Sequence, residues 1–165
     1  ATETNLFNLA PKARRIHIAT HMVRPISGIA ALNAIALTLP ETPSDADDGF
    51  LRLIELFEKW RDRLSACELV TISACESGLG AVVADEGVFA MPWGFLYAGA
   101  STVIASHWSV DDTATAELMS GFMTRLMREK SLSKLDAFTQ ARRTLRASRP
   151  HPFHWAPFVL YGDPR

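Results

Sequence analysis

A three-layer α/β fold, with a mostly parallel sheet flanked by helices, is predicted for this chain of 165 residues. Three observations predict it. The apolar runs at Arg15–His21, Leu69–Cys75 and Ser101–Trp108 have the length and composition of buried strands. The segments between and after them carry apolar residues at helical spacing. Strands that alternate with helices build parallel sheets covered on both faces. Composition permits such a core: 48% of residues are hydrophobic and 21% are charged. The formal net charge of −1 gives no global attraction to nucleic acid or an anionic membrane. No apolar stretch approaches the roughly 20 residues that span a bilayer.

The elements follow in order. Residues 1–14 predict a short polar helix or loop leading into the first strand. Ile29–Leu39 is an apolar run that suits a strand or the flank of a hairpin. Pro40–Gly49 contains two prolines, four acids and no large apolar residue, so an exposed, mobile loop is expected. It superficially resembles a calcium loop, but its glycine and acids fall out of register with the required ligand positions. Phe50–Leu64 reads as an amphipathic helix with Leu53, Ile54, Phe57, Trp60 and Leu64 on one face and Glu55 four residues before Lys59. Gly87–Tyr97 predicts an apolar helix ended by Gly99. Asp111 or Asp112 caps the next helix, with Leu118, Met119, Phe122, Met123 and Leu126 inward. Ser131 is expected to cap a third helix, with Leu135, Phe138 and Leu145 inward. Phe158–Tyr161 is a last short strand.

The chemistry concentrates at two strand ends. Cys75 closes the run Leu69-Val70-Thr71-Ile72-Ser73-Ala74-Cys75, and Gly78 and Gly80 then force a loop. Open α/β sheets carry their ligands and reactive groups at the carboxyl ends of strands. His21 ends Arg15-Ile16-His17-Ile18-Ala19-Thr20-His21 in the same way. A cysteine and a histidine delivered by neighbouring parallel strands would form a nucleophile and its base. Cys67 lies just before the Leu69–Cys75 strand and Cys75 at its end, so the strand separates the two by more than ~20 Å, too far for a disulfide. Two cysteines so placed form no zinc site, and a reducing, cytoplasmic setting is expected. His17 lies four residues before His21, roughly 13 Å away along the strand, and reads as a structural hydrogen-bonding histidine. His107 stands at another strand end, where it either lines the cleft or is simply packed. His151 and His154 read as structural. Eight basic residues and two acids lie between Arg125 and Arg149, which suits a solvated helix face.

Five segments, in order, resemble the CHAT domain, a caspase-like family of the same clan as separase and caspases. They are Ile16-His17-Ile18-Ala19-Thr20-His21, Leu69 to Gly80, Ala98 to Ser106, Trp108-Ser109-Val110-Asp111-Asp112, and His154 to Asp163. The resemblance covers essentially the whole chain, read as one domain over residues 1–165. It implies a cysteine endopeptidase with Cys75 as nucleophile and His21 as general acid/base. It also implies an oxyanion held by the backbone N–H groups of Cys75 and Met22, although the family usually has glycine where Met22 stands. Asp112 matches an aspartate that binds arginine before the scissile bond in separase-like relatives, so cleavage after a basic residue is implied. Helix capping is the plain alternative for that carboxylate. Glu76 and His107 complete the expected substrate contacts. The chemistry requires no cofactor and no metal. Relatives carry further strands before the histidine strand, so this chain is expected to be the C-terminal, dyad-bearing portion of a zymogen. Its Arg15–Thr20 strand would then need an N-terminal companion, or the rest of the same protein, beside it. The other expected partner is a protein substrate, with neither membrane nor nucleic acid. A catalytically silent scaffold is the competing reading.

Overall fold

The computed structural model describes residues 1–23, 32–75, 86–108 and 110–165. Six strands form one sheet, in the order β3-β2-β1-β4-β5-β6. They are β1 (Arg15–Val23), β2 (Ala34–Ala36), β3 (Phe50–Arg52), β4 (Leu69–Cys75), β5 (Thr102–Ser106) and β6 (Phe158–Gly162). The centre is parallel: β1 pairs with β4, and β4 with β5. The flanks are antiparallel, β2 on β1, β3 on β2, and β6 on β5. The helices are α1 (Glu3–Leu9), α2 (Leu53–Lys59), α3 (Glu86–Tyr97), α4 (Asp112–Arg128), α5 (Lys134–Ser148) and the short α6 (Pro152–Trp155).

Period-two alternation assigns the faces. Ile16 and Ile18 of β1, Val70 and Ile72 of β4, and Val103 and Ala105 of β5 bury one side against Leu53, Leu56, Met91 and Phe95 of α2 and α3. Leu69, Ile104 and Phe158 bury the other side against Leu118, Met119 and Phe122 of α4 and Phe138 of α5. The molecule therefore has the helix–sheet–helix layering that the sequence predicts, around two hydrophobic clusters. Gly94 marks the tightest helix approach, since a Cβ there would stand 2.8 Å from carbons of Leu53 and Leu56.

Several expectations need correction. Phe50–Arg52 is a strand, so the helix begins at Leu53 and ends at Lys59; Phe57 is 38% exposed. The reason is tertiary: Leu51 pairs with Ile35 and is fully buried. The Glu55–Lys59 ion pair forms as expected, at 2.7 Å. Ser133, not Ser131, caps α5, because Asp136 sits three residues on and its N–H donates to Ser133 Oγ at 3.0 Å. Leu135 points outward and is 45% exposed. The histidine strand is not the bare end of the sheet, since β2 and β3 lie beyond it. Among the described residues β2 pairs with the far end of β1 alone, in the register Met22↔Ile35 and Val23↔Ala34, and β3 pairs with β2. The acidic loop is exposed over residues 41–46, but Asp47 is buried and accepts the backbone N–H groups of Glu3 and Thr4 at the start of α1. That is helix capping.

Candidate active site

The two chemistry-bearing strand ends meet in the sheet. β1 and β4 run parallel in the register Arg15↔Leu69 through His21↔Cys75. Neighbouring strands are about 4.8 Å apart. His21 and Cys75 are therefore neighbours at the carboxyl ends of adjacent parallel strands. Burial of Ile16 and Ile18 on one face leaves His17, Ala19 and His21 on the other, and all three are exposed. That face belongs to α4, which covers β4 and β5 but not β1 completely. The step between α4 and β1 is a groove of about 360 Å³.

His17, Ala19 and His21 form the sheet side of this groove together with Ser73. Asp112, Thr115, Ala116 and Met119 form the helix side. The spacing is that of one helix face, 112, 115, 116 and 119. The neighbouring aspartates thus have different surroundings. Asp111 is the N-cap of α4, where its Oδ1 accepts the Ala114 N–H at 2.7 Å. It also lies 3.7 Å from an Arg149 nitrogen. Asp112 is the first helical residue and lines the groove beside His21. Below the groove, Ser73 Oγ and Thr115 Oγ1 are buried without a hydrogen-bond partner among the described residues.

The other histidines are accounted for locally. His17 Nδ1 is 2.5 Å from Thr71 Oγ1, and burial pushes its imidazole below the usual histidine range. This matches a structural hydrogen-bonding role. His107, just past β5, bonds Tyr161 through Nε2 at 2.5 Å and stacks on its ring. Burial lowers the His107 imidazole and raises the Tyr161 hydroxyl. His107 is not among the described residues that line the groove. His151 caps α6 by accepting the Phe153 N–H. Cys67 is buried, its thiol 3.5 Å from the Leu69 carbonyl oxygen, and burial pushes that thiol upward. A raised thiol is a poor nucleophile. Met22 pairs with Ile35 and packs against the core. Among the described non-glycine residues only Asp62 has positive φ, so Met22 holds its place without the backbone freedom of glycine. Glu76 and the loop glycines Gly78 and Gly80 lie outside the described residues.

Sequence reading missed Ala19, Ser73, Thr115, Ala116 and Met119 as groove residues. The i+3 and i+4 positions after Asp112 were a usable signal; the rest depended on how α4 docks. Among the described residues no group of three His, Cys, Asp or Glu side chains is placed to hold a metal ion. No described helix is long and apolar enough to cross a membrane.

The chain is 27% identical over 189 residues to Tetratricopeptide repeat protein 28 of Homo sapiens, and 26% identical to the protein of that name from Mus musculus. Each alignment covers 99% of this chain but 8% of the relative, so the chain spans a small part of the curated relatives it matches. The CHAT domain family matches residues 1–163, from α1 to the end of the sheet. With the histidine and cysteine strands in register inside that match, the chain belongs to the CHAT domain family, whose fold is caspase-like and peptidase-related.

Proposed function

We propose that this domain is a cysteine endopeptidase that cuts protein substrates after a basic residue. The observation that carries the reading is the register His21↔Cys75, together with a groove lined by both His21 and Asp112. In the proposed reaction the Cys75 thiolate attacks the scissile carbonyl carbon. The carbonyl oxygen becomes an oxyanion that accepts hydrogen bonds from the backbone N–H groups of Cys75 and Met22. The intermediate collapses, the carbon–nitrogen bond breaks, and His21 gives its proton to the leaving amine. Water, deprotonated by His21, then attacks the thioester and releases the acid and the thiolate. No step draws on a cofactor.

Asp112 is the specificity acid in this scheme. Asp111 serves the helix cap, whereas Asp112 lines the groove, where a carboxylate suits an incoming guanidinium. The walls formed by Ala19, Ala116 and Met119 suit the aliphatic stem of a long basic side chain. We assign the expected companion, an N-terminal fragment or another part of the same protein, to the outer edge of β1. Among the described residues β2 pairs only with Met22 and Val23, which leaves Ile16–Thr20 without a strand on that side. Proteolysis or engagement of that companion would then control the peptidase.

The test is labelling by an arginyl chloromethyl ketone, a probe that alkylates an activated thiol next to a basic-residue pocket. Labelling that disappears in both Cys75→Ala and His21→Ala, and is weaker for the leucyl analogue, supports the reading. Labelling confined to Cys67, or unchanged in His21→Ala, refutes it. A second reading, a silent scaffold working through protein contacts, gains weight from the Met22-for-glycine exchange and from the repeat-containing relatives. It predicts a stable protein that takes up no probe even when its companion is present.

A further inference from the structure

The opposite end of the sheet carries a second concavity, of about 600 Å³. The starts of β1 and β4 supply Arg14, Arg15, Glu68 and Leu69. Lys130 follows α4, and Lys134 opens α5. With Arg165, five cations face two carboxylates, Glu68 and Asp163. Each carboxylate already has its own arginine: Glu68 bonds Arg14, and Asp163 bonds Arg165 at 2.9 Å. Arg15, Lys130 and Lys134 make no ion pair among the described residues. Backbone hydrogen bonds fix the walls: Glu68 N–H to Arg14 O at 2.7 Å, Asp163 N–H to Ser101 O at 2.9 Å, and Leu135 N–H to Pro164 O at 3.0 Å.

Two further facts separate this cluster from ordinary solvated charge. Lys134 is the first residue of α5, behind the Ser133 cap. A cation there opposes the positive end of the helix dipole, so stability alone would favour an acid. Its charge also reaches both acids. Glu68 is held low first by Arg14 and also by Arg15 and Lys134, and Asp163 is pulled to about 2 first by Arg165 and also by Lys134. The surplus positive charge therefore faces one concavity. Its floor is apolar, with buried Leu69 beside Leu126, Leu132 and the exposed Met127.

We propose that this concavity binds a phosphate chain, as carried by a nucleoside triphosphate or an inorganic polyphosphate, through Arg15, Lys130 and Lys134. The volume falls in the range of small-molecule sites. Several charges must be met within a short reach, and a phosphate chain concentrates them, whereas an acidic peptide spreads one charge over about 3.3 Å of backbone. Lysines bind phosphate as point charges, and apolar residues beside them suit an attached ring. The site is remote from His21, with the six residue steps of β1 between, about 20 Å. Its existence does not depend on the peptidase reading.

The experiment is calorimetric titration of the purified protein with sodium tripolyphosphate and, separately, ATP, both at fixed ionic strength with sulfate as control. Saturable binding, weakened at least tenfold in Lys134→Glu and in Arg15→Gln, and unchanged in the remote Arg61→Gln, supports the site. Thermal melting of Lys134→Glu checks that the fold is retained, and Lys130→Gln, at an exposed loop position, repeats the test without a reversal of charge. Tighter binding of ATP assigns the apolar floor to the base, and equal binding assigns the site to the phosphate chain alone. Binding no stronger than sulfate, binding indifferent to all three substitutions, or tighter binding of poly-glutamate than of tripolyphosphate overturns the proposal.

Discussion

Asp111 and Asp112 are adjacent carboxylates with separable consequences. Asp111→Ala removes the Oδ1 that accepts the Ala114 N–H at 2.7 Å. Loss of such a cap costs about 1 kcal/mol, within a range of about 0.5–2. For a chain of this size that lowers the melting temperature by roughly 2–4 °C. Asp112→Asn keeps the side-chain shape and removes a negative charge in the first turn of α4, where the dipole contribution is about 0.3–1 kcal/mol. Its effect on catalysis should be larger. Truncating one partner of a desolvated pair costs about 2–5 kcal/mol. Asp112 is exposed on an open groove, so solvent screening favours the lower end. About 2 kcal/mol corresponds to roughly 30-fold in kcat/KM for arginine substrates. The assay compares matched arginyl and leucyl peptides on the parent and both variants, alongside thermal unfolding. Asp112→Asn should collapse the arginine-to-leucine ratio with little change in melting, and Asp111→Ala should do the reverse. An unchanged ratio in Asp112→Asn, or an equal loss in Asp111→Ala, refutes the assignment of the groove acid.

Three other substitutions test the framework. Gly162 has φ of +90°, and a Cβ would stand 2.3 Å from the Ser101 carbonyl oxygen, so Gly162→Ala should destabilise by about 2–4 kcal/mol in urea unfolding. Burial and the neighbouring Glu55 raise Glu3 from 4.5 to about 7. Between those values the unfolded chain has lost a proton that the folded one keeps, so stability falls as pH rises from about 4.5 to 7 and then levels, by about 3 kcal/mol at most. Glu3→Gln should flatten that profile, and an unaltered slope would show that the carboxyl is not held protonated. Thr115→Val removes a buried hydroxyl with no partner among the described residues and should raise stability by about 1 kcal/mol; a loss of stability would reveal a bond to Thr115 Oγ1.

What the sequence revealed and what it hid have physical causes. The β4 and β5 runs were legible because strands buried on both faces must be almost continuously apolar, and β1 because its buried and exposed residues alternate. β2 and β3 were not legible as separate strands. Each has three residues, too short for alternation to register, and Phe50-Leu51-Arg52 fits the helical spacing of the residues that follow. Only pairing with Ala34–Ala36 makes it a strand. The α5 cap was misplaced although a signal was present: Ser133 has Asp136 three residues later, whereas Ser131 has Lys134. At the candidate site, His21 and Cys75 were legible because each ends an apolar run. Asp112 could not be told from Asp111, since both suit a cap and only the docked helix distinguishes them.

The groove follows from the same alternation that builds the core. Ile16 and Ile18 must face α2 and α3, so His17, Ala19 and His21 must face the side of α4. β1 continues to Val23, whereas β5 ends at Ser106, and α4 begins only at Asp112 after the intervening turn. The helix therefore packs chiefly over β4 to β6, with its first turns beside an uncovered stretch of β1. Its core residues Leu118 and Phe122 fix its rotation. Positions 112, 115, 116 and 119 then face β1 as a consequence of 3.6 residues per turn. A small residue at 19 keeps the gap open between the two histidines. Replacing Ala19 by a bulky side chain would fill the groove without touching either strand end. The position of Asp112 is thus set by core packing, and the location of His21 by strand register. The proposed binding acid and the proposed strand-end base are held on separate elements of the scaffold, each anchored by apolar contacts that lie outside the groove.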